Sequence, residues 1–144
     1  MYQQEMLYAL LRRNKLRLTK ARKAFVAILC ANSFPLSVAD ILLSLHAAGI
    51  MVNKTTVYRE LERFQKLGIV DSEQLDNRKR YYELSSRGHH HHLVCVGCDH
   101  VEDIAVDESI LLREEHKVRR EKKFTALRHS LKFFGLCQKC QTTG

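Results

Sequence analysis

Apolar residues in the first 70 positions recur every three or four residues, which is the spacing of helices that bury one face. The pattern predicts a first helix over 2–13 and a second helix that Thr19 caps. Ser37 and Asp40 resemble an acidic capping box for a third helix, which ends at Gly49. The start of the chain is therefore expected to be helical.

A fourth helix is predicted over 54–67, and one of its faces is polar. Asn53 can cap this helix and Gly68 can end it. Val57, Leu61 and Phe64 form its apolar stripe. The opposite face offers Lys54, Thr55, Tyr58, Arg59 and Glu62.

Residues after the fourth helix predict a two-stranded hairpin. It turns near Asp76-Asn77 and returns over 80–84. Consecutive helices followed by such a wing are typical of a winged helix-turn-helix. This motif places its last helix in the major groove of DNA.

Beyond residue 84 the pattern changes to short strands around one long helix. The predicted elements are strands over 90–96 and 100–105, a helix over 107–123, and a third strand over 127–134. We therefore predict an α+β fold in which 1–84 is a winged-helix domain, 85–88 is a hinge linker and 89–144 is a small α/β domain.

The charge of the chain is concentrated in its first half. Residues 1–70 contain 11 Lys or Arg and 4 Asp or Glu, whereas residues 71–144 contain 13 and 12. A basic half favours a polyanionic partner, most commonly DNA. Charge alone leaves open a solvated basic face.

The sequence contains no apolar run of the roughly 20 residues that a membrane helix needs. Its start also lacks the order of charged and apolar residues of a signal peptide. We therefore expect a soluble, cytoplasmic protein without a membrane partner.

Four of the five cysteines form two CxxC pairs, Cys95 with Cys98 and Cys137 with Cys140. Two such pairs supply the tetrahedral sulfur set that zinc prefers, so we predict a structural Zn²⁺ site. A redox CxxC is the alternative interpretation. Cys30 lies in an apolar stretch and is expected to pack in the core.

Four consecutive histidines, His89 to His92, begin the second half. On a strand, His90 and His92 point to one face while His89 and His91 point to the other. One strand can therefore supply two metal sites, and a loop of solvated histidines is the alternative. Imidazole and carboxylate ligands together suit Zn²⁺, Mn²⁺ or Fe²⁺.

Several further side chains can complete these sites. Glu83, Asp103 and Asp71 are the candidate oxygen ligands. His129, on the predicted third strand, is the candidate remote nitrogen ligand. We expect the other three histidines to be surface or packing residues.

Together these residues resemble the ferric uptake regulator superfamily of metal-responsive repressors, over essentially the whole chain. The matching segments are Thr19-Lys20-Ala21-Arg22, Thr56-Val57-Tyr58-Arg59, His89 to Cys95 with Cys98, and His129-Ser130-Leu131 leading to Cys137 and Cys140. The histidine and cysteine segment is the specific part, because the fourth-helix segment alone would be weak.

The resemblance implies a homodimer that represses transcription, in which the C-terminal domain dimerises. Metal at the hinge would set the angle between two DNA-binding domains, and the loaded form would bind a palindromic operator in double-stranded DNA. The DNA contacts that it implies are Arg17, Arg22, Tyr58 and Arg59, and we add Lys54 and Thr55 from the polar face of the fourth helix.

The resemblance also implies two metal sites besides the cysteines. Its regulatory site corresponds to Glu83, His90, His92 and Asp103, and its second site corresponds to His89, His91 and His129 with an acidic residue. The family's glutamate for the second site falls on Leu111 or Leu112, so Glu108 or Glu115 is the expected substitute, and a vestigial site is the alternative.

Two departures concern the regulatory site. The histidine that closes it in iron and peroxide sensors is Pro35 here. Asp71 instead fits the pattern of zinc-sensing members, although the cysteine that those members often carry near Leu84 is missing. The regulatory metal can therefore be Zn²⁺, Fe²⁺ or Mn²⁺, and the departures favour Zn²⁺ slightly.

Two other function classes compete with a regulator. A zinc hydrolase could use the same histidines and a nearby aspartate. However, it needs no basic helix-turn-helix, and the sequence contains no further acid, base or nucleophile constellation, so we do not expect an enzyme. A zinc-stabilised protein-interaction module would leave Lys54, Tyr58 and Arg59 unexplained.

Overall fold

The computed structural model describes residues 2–74, 79–87 and 89–142. Two compact units divide the chain, Met1–Gly88 and His89–Gly144. The predicted turn near Asp76-Asn77 and the linker residue Gly88 lie outside the described residues. No helix among the described residues is long and apolar enough to cross a membrane.

The first unit contains four helices and a small antiparallel sheet. Its elements are α1 (Tyr2–Arg13), α2 (Lys20–Ala31), β1 (Leu36–Ser37), α3 (Val38–Ala47), α4 (Lys54–Lys66), β2 (Val70–Gln74) and β3 (Arg80–Leu84), followed by a 3₁₀ turn over Ser85–Arg87. The sheet has the strand order β1-β3-β2. The four helices and the wing are therefore confirmed, whereas the sequence pattern missed β1.

Side chains begin three of these helices in the way that the sequence predicts. Thr19 Oγ1 accepts the backbone N–H of Arg22 at 3.1 Å. Ser37 forms a capping box with Asp40. Asn53 Oδ1 accepts the backbone N–H of residue 56 at 2.9 Å. Each cap satisfies an N–H that the first helical turn leaves open, which fixes where the helix starts.

A continuous apolar core holds the first unit together. Val57, Leu61 and Phe64 are buried along α4, and Phe64 packs edge-to-face against Phe25 of α2 at a ring distance of 5.5 Å. Each fully buried side chain of this kind contributes about 1.5–3 kcal/mol relative to an exposed one. The core therefore fixes which face of α4 points outward.

An ion pair also joins α2 to α4. Arg22 donates from Nε and Nη2 to the two carboxylate oxygens of Glu60, at 2.8 and 2.7 Å. Burial would raise the pKa of the Glu60 carboxyl, but the hydrogen bonds and charges of Arg22 and Arg63 outweigh it and lower that pKa.

The second unit is smaller and is built around strand β4. Its elements are β4 (His91–Cys95), β5 (Val101–Ile104), α5 (Glu108–Lys122), β6 (Lys132–Gly135) and α6 (Gln138–Thr142). Strand β4 lies in the middle of the sheet, antiparallel to β5 and parallel to β6. Asp107 caps α5, as the predicted helix over 107–123 requires.

The predicted third strand over 127–134 is wrong in its first half. Strand β6 begins only at Lys132, where the chain first pairs with His92 of β4. The parallel register pairs His92 to Cys95 with Lys132 to Gly135, so residues 127–131 precede the strand. His129 therefore lies in the segment before the strand.

We predict that Glu60→Gln lowers the free energy of unfolding by about 2–4 kcal/mol at pH 7, because it leaves the largely buried Arg22 charge without its carboxylate partner. A carboxyl whose pKa is lowered on folding contributes stability above its unfolded pKa and loses it as pH falls through the folded value. The difference in free energy of unfolding between variant and wild type should therefore decrease below about pH 4, as measured by urea titrations.

Glu62→Gln is the matched control for this change. Glu62 forms an exposed pair with Lys66 at 3.5 Å, on the same helix. Its loss should cost less than about 0.5 kcal/mol. Equal losses in the two variants, or a Glu60→Gln loss that persists unchanged at pH 3, would contradict the prediction.

Candidate metal centres

Strand β4 distributes the histidine run between two clusters. Side chains alternate along a strand, so His91 and His92 leave β4 on opposite faces. His89 and His90 directly precede β4, and each joins the cluster of the histidine two positions later. His91 and His92 are buried on their respective faces, although histidine is usually only partly buried. Buried polar rings need polar neighbours, and each face places a carboxylate near an imidazole, Glu108 beside His91 and Asp103 beside His92.

Four cysteine sulfurs form a cluster at the end of β4. The Sγ atoms of Cys95, Cys98, Cys137 and Cys140 all lie within 4.8 Å of one another. Cys98 Sγ and Cys137 Sγ are 3.8 Å apart, and all four thiols are free. A tetrahedron with 2.3 Å metal–sulfur bonds has edges of about 3.8 Å, so the spacing fits zinc.

The turn between the first two cysteines depends on a glycine. A Cβ atom on Gly97 would lie 2.9 Å from Cys140 Sγ. This contact is shorter than side chains tolerate, so any other residue would displace that sulfur. Gly97 therefore allows the two CxxC pairs to approach closely.

Hydrogen bonds within the cluster oppose the loss of a proton from some of its thiols. The backbone N–H of Cys137 donates to Cys95 Sγ at 3.3 Å and lowers the pKa of Cys95 to about 6, although burial acts in the opposite direction. Hydrogen bonds with Cys95 and Cys137 raise the pKa of Cys140 to about 12. A divalent cation favours the thiolate form of every ligand, and its binding releases protons.

A second cluster contains three imidazoles and one carboxylate. His89, His91, Glu108 and His129 bring their ligand atoms within 4.8 Å of one another. His91 Nε2 lies 2.6 Å from one Glu108 oxygen, and His129 Nε2 lies 3.1 Å from the other. The Nε2 atoms of His89 and His129 are 2.9 Å apart.

Glu115 orients His129 within this cluster. The Nδ1–H of His129 donates to Glu115 at 2.6 Å, which leaves Nε2 facing the other ligand atoms. This hydrogen bond raises the pKa of His129 against the effect of burial. A carboxylate behind a ligating histidine is a common feature of metal sites, so the donor set fits a divalent cation.

Glu108 and Glu115 were the alternative acidic residues expected for the second cluster, and both contact its histidines. The two residues lie seven positions apart on α5, so they share one helix face. Glu108 contacts the imidazoles directly, whereas Glu115 contacts the outer nitrogen of His129.

The other histidine pair lies near Asp103 on β5. His90 Nε2 and His92 Nε2 are 3.8 and 3.7 Å from Asp103 Oδ1, and their rings are 4.8 Å apart. This pairing follows from the register, because His92 lies opposite Asp103 in the sheet. The three side chains offer two nitrogens and a carboxylate to a cation.

The two remaining acidic candidates lie on the wing of the first unit. Asp71 of β2 is directly opposite Glu83 of β3 in the antiparallel register. Opposed residues in such a pair project from the same face of the sheet. The wing therefore presents two carboxylates side by side.

The three remaining histidines belong to none of these clusters. His46 Nε2 lies 3.0 Å from the carbonyl of Val52, and His100 Nε2 lies 3.3 Å from Glu102. His116 is exposed on α5.

The predicted DNA-contacting side chains differ in how accessible they are. Five of them are exposed: Arg17, Lys54, Thr55, Tyr58 and Arg59. Arg22 is different, because only 10% of its side chain is exposed and its guanidinium binds Glu60. The structure gives Arg22 a partner within the protein.

Comparisons with known proteins agree with this arrangement. The model of the ferric uptake regulator family matches residues 13–134. The ferric uptake regulation protein of Bacillus subtilis is 34% identical over 128 residues, which cover 86% of this chain and 85% of that protein.

Solved structures of similar fold cover nearly the whole chain. The Helicobacter pylori ferric uptake regulator, whose structure reveals three functional metal binding sites, has a TM-score of 0.79 at 26% identity and covers 95% of this chain and 90% of its own. The Francisella tularensis regulator with iron has a TM-score of 0.78 at 28% identity and covers 88% of this chain and 95% of its own.

We predict that Cys98→Ser combined with Cys140→Ser removes one equivalent of tightly bound zinc and lowers the thermal stability of the second unit, because structural zinc binding contributes directly to folding. Metal analysis after gel filtration and a thermal melt measure the two effects. Cys30→Ser, which changes a cysteine outside the cluster, should retain the zinc. A double variant that keeps full zinc content and stability would contradict the prediction.

We also predict that Glu115→Gln weakens Zn²⁺ binding at the second cluster by about 10- to 100-fold, because His129 loses the carboxylate that orients it. Competition with a zinc indicator, in protein whose cysteine cluster is already loaded, measures the affinity. Glu114→Gln is the control, since Glu114 is exposed and belongs to no cluster. Equal affinities for the two variants would show that the Glu115 contact is unimportant.

Proposed function

This chain belongs to the ferric uptake regulator family of metal-responsive regulators, and we propose that it is a DNA-binding repressor of transcription that binds its operator as a homodimer when metal is present. The observation that carries the proposal is the division of four consecutive histidines, two before β4 and two on it, between two separate metal clusters. Such an arrangement suits a protein in which one bound metal is sensed while others maintain the structure.

Helix α4 supports the DNA-binding part of the proposal. Its apolar face is buried, so its polar face is exposed. Arg59 can donate two hydrogen bonds to a guanine edge, and Lys54 can bind phosphate. Tyr58, which is half exposed, offers a hydroxyl group and an aromatic ring. We propose these side chains, with Thr55 and Arg17, as the DNA contacts.

The three groups of candidate ligands suit different roles. The four cysteines leave no position for a further ligand, so we propose that they hold a structural Zn²⁺. His90, His92 and Asp103, with Glu83 and Asp71 as further carboxylates, are the proposed regulatory site for Zn²⁺, Fe²⁺ or Mn²⁺. His89, His91, Glu108 and His129 form the proposed second site.

The proposed dependence of DNA binding on metal follows from the charges of these residues and from the units to which they belong. A bound divalent cation would supply positive charge that offsets the repulsion between carboxylates. His90, His92 and Asp103 belong to the second unit, whereas Glu83 belongs to the wing and precedes His89 by six residues. Ligands from both units would make the DNA-binding arrangement depend on occupancy. A shift from 1:99 to 99:1 requires about 5.5 kcal/mol of preferential binding.

Exposed apolar residues of the second unit support the homodimer. Helix α5 has no buried residue, and Ile110 and Leu112 are 55% and 51% exposed. Phe133 and Phe134 on β6 are also half exposed. A second copy of the chain would cover such surfaces, and a two-fold dimer matches a palindromic operator.

We predict that His90→Ala combined with His92→Ala abolishes the metal dependence of operator binding. The probe is a duplex that the metal-loaded wild-type protein selects from a random DNA pool, and fluorescence anisotropy measures its affinity with metal and with a chelator. Wild type and the His116→Ala control should bind much more tightly with metal.

The double variant should give the same weak affinity under both conditions. If its affinity still rises with metal as in wild type, these histidines do not form the regulatory site. Metal analysis of the same samples checks that the cysteine-bound zinc is retained.

A further inference from the structure

We propose that Arg22 and Glu60 are positioning residues that hold the turn before α2, residues 14–19, at a fixed distance from α4. In this proposal Arg22 does not itself contact DNA. The inference rests on the proposed function, in which exposed residues of the turn and of α4 bind the operator together. It concerns how the protein spaces these two contact regions.

The guanidinium of Arg22 joins two segments that are distant in sequence. Its Nε and Nη2 atoms donate to Glu60, and its Nη1 atom donates to the backbone carbonyl of Arg17 at 2.6 Å. A planar guanidinium holds partners in a fixed geometry, which an ammonium group does not. Arg22 therefore connects α4 directly to the backbone of the turn.

Both ends of this connection lie beside proposed DNA contacts. Glu60 directly follows Tyr58 and Arg59 on α4. At the other end, the carbonyl of Arg17 also accepts the backbone N–H of Thr19 at 3.0 Å, and the side chain of Arg17 is exposed. Displacement of the turn would therefore move the Arg17 side chain relative to Arg59.

Burial argues against a direct role of Arg22 at DNA. The side chains of Arg22 and Glu60 are only 10% and 12% exposed. Three guanidinium N–H groups are already used, and a paired carboxylate reduces attraction to phosphate. A phosphate contact would require Arg22 to leave these partners.

A positioning role of Glu60 and simple electrostatics predict opposite changes in operator affinity when the Glu60 charge is removed. Glu60 and Glu62 are two of the four acidic residues among the first 70 positions. Removing a negative charge from a DNA-binding unit should strengthen DNA binding if only charge matters. Removing the charge of Glu60 should weaken operator binding instead, because the connection is lost.

The experiment compares four variants of the metal-loaded protein: Glu60→Gln, Arg22→Lys, Glu62→Gln and Leu45→Ala. Leu45 is buried in the core, so its variant controls for lost stability. Anisotropy titrations at several salt concentrations measure affinity for the selected duplex and for a scrambled duplex, at a temperature where every variant is folded by circular dichroism.

We expect Glu60→Gln and Arg22→Lys to lower the preference for the selected duplex over the scrambled one by about tenfold or more. Glu62→Gln should bind as tightly as wild type or more tightly, and Leu45→Ala should keep the wild-type preference. If the contact of Arg17 is lost, the slope of log affinity against log salt should fall by about 0.9 per phosphate.

Two results would overturn the inference while leaving the proposed function intact. One is a Glu60→Gln variant that binds the selected duplex as Glu62→Gln does. The other is weakened binding in Arg22→Lys alone, which would indicate a direct DNA contact. A wild-type protein without preference for any duplex would instead overturn the proposed function and this inference with it.

Discussion

The alternation of side chains along strand β4 is the constraint on which the second unit depends. Because successive residues of a strand face opposite sides, a run of four histidines cannot serve a single site. His91 joins the cluster with Glu108, whereas His92 approaches Asp103. The same strand ends at Cys95, so one element contributes to all three candidate metal centres.

Metal binding and folding are expected to be closely linked in this unit. Its buried apolar residues are few, and two of its buried side chains are histidines. Among the described residues, His91 Nδ1 is buried without a hydrogen-bond partner. Burying such polar groups costs free energy, so a metal ion that binds the histidines of this unit would contribute strongly to its folding stability.

The first unit is organised differently, because an apolar core and internal ion pairs hold it together. Helix α4 shows how residues needed for folding and residues proposed to contact DNA are distributed along one helix. Phe64 is fully buried, Glu60 binds Arg22, and Arg59 remains exposed. The energetics of folding and the proposed contact with DNA therefore use different faces of the same helix, and Glu60 lies where those faces meet.

Local sequence signals determined much of this protein. Caps such as Thr19 and Asn53 fixed the helix starts, and the CxxC spacing fixed the approach of the two sulfurs within each cysteine pair, because these effects act within a few residues. Tertiary structure alone decided the short strand β1, the late start of β6, the contact of Glu115 with His129 and the pairing of Arg22 with Glu60. Each of these depends on a partner in another element, and the sequence around one residue does not specify which distant partner packing brings close.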